Sequence, residues 1–148
     1  RLVGSEMCIR DSYYPLFDEI LKAHNMLVWD KLSGPGNHYA FIHELVLFHA
    51  GKGANIGGTN IISNIKSFTS GAKSTDGAKV HPTQKPVALI QKFIEDATEP
   101  GAVILDTFGG SGSTAVAAVR SGRRFILMEQ DEGYYHTACK RLEDEYRE

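Results

Sequence analysis

Apolar and polar positions follow a clear period in the second half of the chain and a weak one in the first. From Pro86 onward, Leu89, Ile90, Phe93, Ile94 and Ala97 recur at the three-and-four spacing of a helix with one apolar face. Glu99-Pro100-Gly101 ends it. AVILD (102–106) is a continuous apolar run of strand length, expected to be buried on both faces. STAVAAVRSG predicts a helix with Gly122 at its C-terminal cap, and RFILME (124–129) a second strand. Asp131 can cap a last helix whose stripe is Tyr134, Tyr135, Ala138, Leu142 and Tyr146. Strand, tight Gly turn, helix and strand between 102 and 129 predict a βαβ unit with parallel strands, hence an α/β fold.

The first half is less regular. PLFDEILKAH (15–24) suits a helix, with Pro15 in its first turn and Leu16, Phe17, Ile20 and Leu21 on one face. MLVWDK (26–31) reads as a short buried strand and FIHELVLFH (41–49) as a second. Residues 50–80 are rich in Gly, Ser, Asn and Lys and predict a long loop with at most one short element. HPTQKP (81–86) is an extended turn, because a residue before proline avoids the helical region. No internal repeat is visible.

Composition changes this picture little. The 148 residues are 42% apolar and 23% charged with a formal net charge of −2, an ordinary globular profile long enough for one domain. No run of 18 apolar residues predicts a membrane span. Two cysteines, Cys8 and Cys139, make neither a disulfide framework nor a zinc cluster, and reduced thiols in a cytoplasmic protein are expected. Residues 45–94 hold six lysines (52, 66, 73, 79, 85, 92) against one acid, Asp76. Such a stretch is a solvated loop or a surface for phosphate backbones. The first twelve residues, RLVGSEMCIRDS, fit nothing downstream and look like translated adapter sequence, so the fold is expected to occupy 13–148.

The chemistry concentrates at ILDTFGGSGST (104–114). In an open α/β sheet, ligands bind beyond the C-terminal ends of the strands. Here both strands end in a carboxylate, Asp106 and Glu129. The glycines permit positive φ and close approach of backbone to a ligand. Glu129 follows Gly110 at the spacing by which an acid after the second strand meets ribose hydroxyls. From Gly110 the residues read G-S-G-S-T-A, a variant of the dinucleotide fingerprint, so a nicotinamide enzyme stays possible. Asp106 would repel a pyrophosphate and attract an ammonium or sulfonium centre, which favours S-adenosylmethionine. A plain turn whose acid caps the next helix remains the simpler alternative.

HPTQKP, ILDTFGGSGST and GRRFILMEQDEGYYHTACKRL together resemble the DNA methyltransferases that methylate amino groups of adenine or cytosine, in the permuted class with the cofactor half C-terminal. VWDK and YAFIHELVLFHAGK are similar to strands that precede the family's target-recognition region. The resemblance implies a Rossmann-like methyltransferase fold, with strands at 13–50, a recognition-type loop at 51–80 and the cofactor half at 81–148. The family's D-P-F-x-G-S-G-T-T stands here as D-T-F-G-G-S-G-S-T, with Thr107 for Pro and Ser113 for Thr. By resemblance, Asp106 with Gly110, Ser111, Gly112 and Thr114 holds the methionine end of S-adenosylmethionine. Phe108 packs at the cofactor's edge and Glu129 binds its ribose. Thr83, Gln84 and Lys85 close over the methionine carboxylate. The implied partner is double-stranded DNA with a flipped target base, and a restriction endonuclease is a possible further one.

His81 reads as a structural hydrogen bonder. His38, His43 and His49 do not have metal-ligand spacing, and no metal is expected. The His43-Glu44 pair lies near the active cleft in the family. The family's catalytic D/N/S-P-P-Y/W/F tetrapeptide is absent, since the prolines stand at 15, 35, 82, 86 and 100. The expectation is therefore a fragment with the cofactor site and without the catalytic loop, whose central strand is missing upstream. Its sheet is incomplete, and strand 102–106 becomes an apolar edge. A non-catalytic cofactor- or DNA-binding module is the alternative.

Overall fold

A computed structural model describes residues 14–22, 25–31, 43–51, 61–62 and 84–147. The chain divides into two units, Arg1–Thr69 and Ser70–Glu148.

In the first unit, helix α1 runs Tyr14–Leu21, and Lys22 at φ 55° closes it in the left-handed conformation. The helix is therefore shorter than the predicted 15–24, and Ile20, expected on its apolar face, is 70% exposed. Strand β1 (Asn25–Asp30) pairs antiparallel with β2 (His43–Phe48), Trp29 opposite Glu44 and Asp30 opposite His43. A two-residue strand, β3 (Ile61–Ile62), pairs parallel with β1 and gives the order β2-β1-β3. Among the described side chains of β1 and β2, Trp29 and Leu47 are buried. β1, expected to be buried, begins with two exposed residues, Asn25 and Met26, and is fully buried only at Trp29.

The second unit carries the predicted βαβ unit. Helix α2 (Val87–Ala97) buries Val87, Leu89, Ile90 and Ile94. Strand β4 (Val103–Asp106), helix α3 (Ser113–Arg120) and strand β5 (Arg124–Leu127) follow. β4 and β5 are hydrogen-bonded neighbours, parallel, with Asp106 opposite Leu127. Helix α4 (Glu132–Glu145) starts where the Asp131 carboxylate accepts from the amide of Tyr134 at 2.9 Å. The core gathers Val87, Ile90, Ile94, Ile104, Val116, Ala117 and Ala118, with Phe125 and Leu142 packed against it. Arg123 ties the ends of the helices by donating to the carbonyls of Ser121 and Thr98.

Two expectations fail here. AVILD is not buried on both faces. Ile104 faces the helices, while Val103 (45%), Leu105 (47%), Ile126 (51%) and Met128 (53%) stand exposed on the other side. Helices α2 and α3 cover one face of β4–β5, and no described element of this unit covers the other. The stripe of α4 is also narrower than predicted. Ala138 is buried and Leu142 half-buried, but Tyr135 and Tyr146 are exposed, because α4 packs on α3 along one line only.

Candidate functional site

The two carboxylates predicted as a pair meet at the same end of β4–β5. Parallel pairing puts both C-terminal ends on one side, and the ladder continues past the strands. Met128 donates to the carbonyl of Asp106 at 2.9 Å, and Gly109 to that of Met128 at 2.8 Å. Glu129 then lies under the Gly turn. Its Oε2 accepts from the amide of Gly110 at 2.6 Å and its Oε1 from that of Asp131 at 2.8 Å. The Asp131 amide does most to hold the Glu129 carboxyl below its ordinary pKa; partial burial opposes this, and the Gly110 amide adds to it. Asp106 is half-buried, and its Oδ1 accepts from the amide of Phe108 at 3.0 Å.

The glycines have a structural reason of their own. Gly110 and Gly112 adopt φ of 51° and 81°, which side-chain-bearing residues avoid. A Cβ on Gly109 would run into the Leu127 side chain, and one on Gly112 would stand 2.8 Å from the Cβ of Ala138. The bare backbone is thus demanded by packing against β5 and α4, before any ligand is considered. What asks for a ligand is the set of acceptors. Each carboxylate accepts from neighbouring backbone amides, and these bonds leave acceptor capacity, out of roughly four lone-pair sites on each. Hydroxyl groups and an ammonium or sulfonium centre suit those sites. The residues present therefore fit S-adenosylmethionine.

Other predicted residues take varied places. Ser111 is 4% exposed and Gln84 8%. Lys85 and Thr114 are half-buried, Thr114 in the first turn of α3. Phe108 is 89% exposed at the turn's tip and packs against nothing described. Thr83 and His81 lie outside the described residues. The segment before α2 is joined to the turn, since Ser113 Oγ donates to the carbonyl of Lys85 at 3.1 Å.

Sequence reasoning missed Arg141. Its Nη1 donates to the Ser111 carbonyl at 2.7 Å, and lies 3.2 Å from Ser111 Oγ and 3.3 Å from Ser113 Oγ. The available signal was its place one helical turn beyond Ala138, a polar residue on the buried line of α4. In the first unit, Glu44 pairs with Lys31 at 3.3 Å and His43 is exposed. Among the described residues, no three His, Cys, Asp or Glu side chains are grouped to hold a metal. Nor is any described helix long and apolar enough to cross a membrane. Of the lysine-rich stretch only Lys85 and Lys92 are described, and Lys92 pairs with Asp96 at 2.8 Å.

The sequence profile of the DNA methylase family (N6/N4 type) matches residues 9–140. The chain belongs to this DNA methylase family. The Type II methyltransferase M2.DpnII of Streptococcus pneumoniae is 51% identical over 65 residues, 44% of this chain and 24% of that protein. The matched stretches span less than a third of the length of the curated relatives. Among solved structures, the M1.HpyAVI–SAM complex is similar with a TM-score of 0.71 at 24% identity, covering 90% of this chain and 71% of that one. The cytosine-N4-specific PvuII DNA methyltransferase gives 0.64 at 18%, covering 98% and 66%. These likenesses show the Rossmann-like α/β fold of the methyltransferases.

Proposed function

We propose that this chain carries the S-adenosylmethionine site of a DNA methyltransferase that modifies an exocyclic amino group of adenine or cytosine. The observation that carries the reading is the pair Asp106 and Glu129, half-buried at the same end of two parallel strands, Asp106 accepting from the Phe108 amide and Glu129 from the Gly110 amide of the turn. Family membership and a fold shared with a methyltransferase solved with its cofactor support it.

In this reading Glu129 accepts from the ribose hydroxyls. Asp106 attracts the ammonium end of the methionine moiety, beside the backbone of Gly110, Ser111 and Gly112 and near Thr114. Gln84 and Lys85, with Thr83, close over the methionine carboxylate, where the lysine charge and the first amides of α2 favour an anion. Phe108 offers an exposed ring to the cofactor's edge. When bound, the cofactor supplies an electrophilic methyl group. This chain contributes no catalytic residue. The tetrapeptide that would accept hydrogen bonds from the target amino group and stack the flipped base is not among these 148 residues. Duplex DNA is the proposed substrate and the cytoplasm the proposed location.

The test is calorimetric titration of the folded chain with S-adenosylhomocysteine and, separately, with NAD. Binding of the former alone is expected. Binding of NAD, or of neither, overturns the reading.

A further inference from the structure

We infer that Arg141 is a positioning residue for the cofactor site: from α4 it fixes the Gly turn and, through Ser113, the Lys85 segment in one arrangement. The inference rests on the proposed cofactor reading and adds a residue that reading does not use.

The geometry has three steps. Ala138 packs against Gly112 so closely that no Cβ fits between them, which sets α4 directly beneath the turn. Arg141 lies on the same side of the helix one turn later. Its Nη1 donates to Ser111 O at 2.7 Å, with Ser111 Oγ at 3.2 Å and Ser113 Oγ at 3.3 Å. Both serines are buried, at 4% and 8% exposure. Ser113 has one hydroxyl proton, and it goes to the carbonyl of Lys85 at 3.1 Å. The hydroxyl is thereby left as an acceptor toward Arg141. A single line of donors thus runs from α4 through Ser113 to the Lys85 carbonyl, two residues before α2.

This line differs from the other α3–α4 tie. Arg120 holds Glu145 through two bonds, at 2.7 and 2.8 Å, far along both helices from the turn. That pair joins helix to helix, whereas the Arg141 acceptors are atoms of the turn and of its first helical residue. All three acceptors lie around one nitrogen, Nη1, whose two protons the planar guanidinium holds in fixed directions, whereas an ammonium on a flexible stem rotates freely. The site gains by preorganisation, since a turn already held does not have to be ordered when the ligand arrives.

The test compares wild type, Arg141→Ala, Arg141→Lys and Arg120→Ala in the full chain. Two quantities are read, affinity for S-adenosylhomocysteine and hydrogen exchange of the amides of residues 109–112, both at a temperature where circular dichroism shows each variant folded. Arg120→Ala is the matched control, because it loosens α4 without touching the turn. Arg141→Ala should weaken binding by about tenfold or more. It should also speed exchange at 109–112 by about tenfold, with the β4–β5 ladder unchanged. Arg141→Lys should recover folding stability but only part of the affinity, and Arg120→Ala should leave affinity and turn exchange near wild type. Equal weakening in Arg141→Ala and Arg120→Ala, or unchanged exchange at 109–112 in Arg141→Ala, overturns the inference. If Arg141→Ala does not fold, Arg141→Lys and Ser113→Ala decide by the same two readouts. A wild type that binds no S-adenosylhomocysteine overturns the cofactor reading instead, and the exchange data then decide the positioning role alone.

Discussion

Gly110 donates its backbone amide to the carboxylate of Glu129 at 2.6 Å, across 19 residues of sequence. The acid proposed to meet the ribose thus also fastens the turn proposed to meet the methionine end. In the proposed reading one side chain serves both halves of the site. Glu129→Ala should therefore weaken S-adenosylhomocysteine binding by about 1–3 kcal/mol from the lost ligand bonds alone. Glu129→Gln keeps one acceptor oxygen for either the turn or the ligand and should fall between. Titration calorimetry on both variants checks this, and an unchanged affinity removes Glu129 from the site.

Two glycines with positive φ, Gly112 in the turn and Gly122 after α3, should separate by mechanism. Gly112 combines φ 81° with a Cβ position 2.8 Å from Ala138. Gly112→Ala meets backbone strain of about 1–2 kcal/mol and overpacking of about 1–3 kcal/mol. Gly122 has φ 69° with open space around it. Gly122→Ala meets only the strain, about 1–2 kcal/mol. Denaturant midpoints should rank wild type above Gly122→Ala above Gly112→Ala. Equal losses would mean that Ala138 yields.

Acid should remove two stabilising contributions together. Glu129 and Glu145 both titrate below the ordinary 4.5. For Glu145 the hydrogen bond from Arg120 is the main cause, opposed by burial and aided by the charges of Arg120 and Arg141. A lowered folded pKa means that the fold prefers the ionised carboxylate. The contribution is therefore complete above the unfolded value and is lost as pH falls through the folded one. The melting temperature of wild type should drop below about pH 4.5. Glu145→Gln should melt lower at neutral pH and converge on wild type in acid. A constant gap across pH would show that the carboxylate charge is not what Arg120 holds.

The βαβ half was legible in the sequence because its periods are long and its punctuation strong. Pro86, Gly122 and Asp131 bound helices where expected, and parallel pairing followed from the strand–helix–strand order. The meeting of Asp106 and Glu129 was legible for the same reason, since parallel neighbours end on one side. Four or five apolar residues in a row do not tell burial on one face from burial on two, so the exposure of Val103 and Leu105 was not readable. β3 is two residues within a Gly-rich stretch and leaves no period to detect. Arg141 acts through backbone and hydroxyl oxygens of a distant segment, a relation that no local pattern encodes. Thr83 and four of the six lysines fall outside the described residues.

Duplex DNA binding, if the lysine-rich stretch meets phosphates, should weaken steeply with salt. Each phosphate-contacting lysine adds about 0.9 to the slope of log affinity against log salt. Lys66→Ala should lower the slope by about that amount. Lys92 is already paired with Asp96 one turn away on α2, and Lys92→Ala should leave the slope as it was. Fluorescence anisotropy over a salt series measures both. A flat wild-type response counts against a phosphate surface in this stretch.

The uncovered face of β4–β5 should govern how the chain behaves in concentrated solution. Leu105 and Ile126 are register partners and about half exposed, with Val103 and Met128 beside them. Adjacent apolar side chains on a sheet face bordered by short strands favour association with another apolar surface. Leu105→Thr with Ile126→Thr keeps strand-compatible shapes while adding hydroxyls. The double variant should scatter less light at high concentration and bind less of an apolar dye, with little change in melting temperature because neither side chain belongs to the core. Ile104→Thr is the contrast. Ile104 is 8% exposed within the core, so this change should unfold the unit and raise dye binding. Unchanged scattering in the Leu105/Ile126 double variant would place self-association elsewhere on the chain.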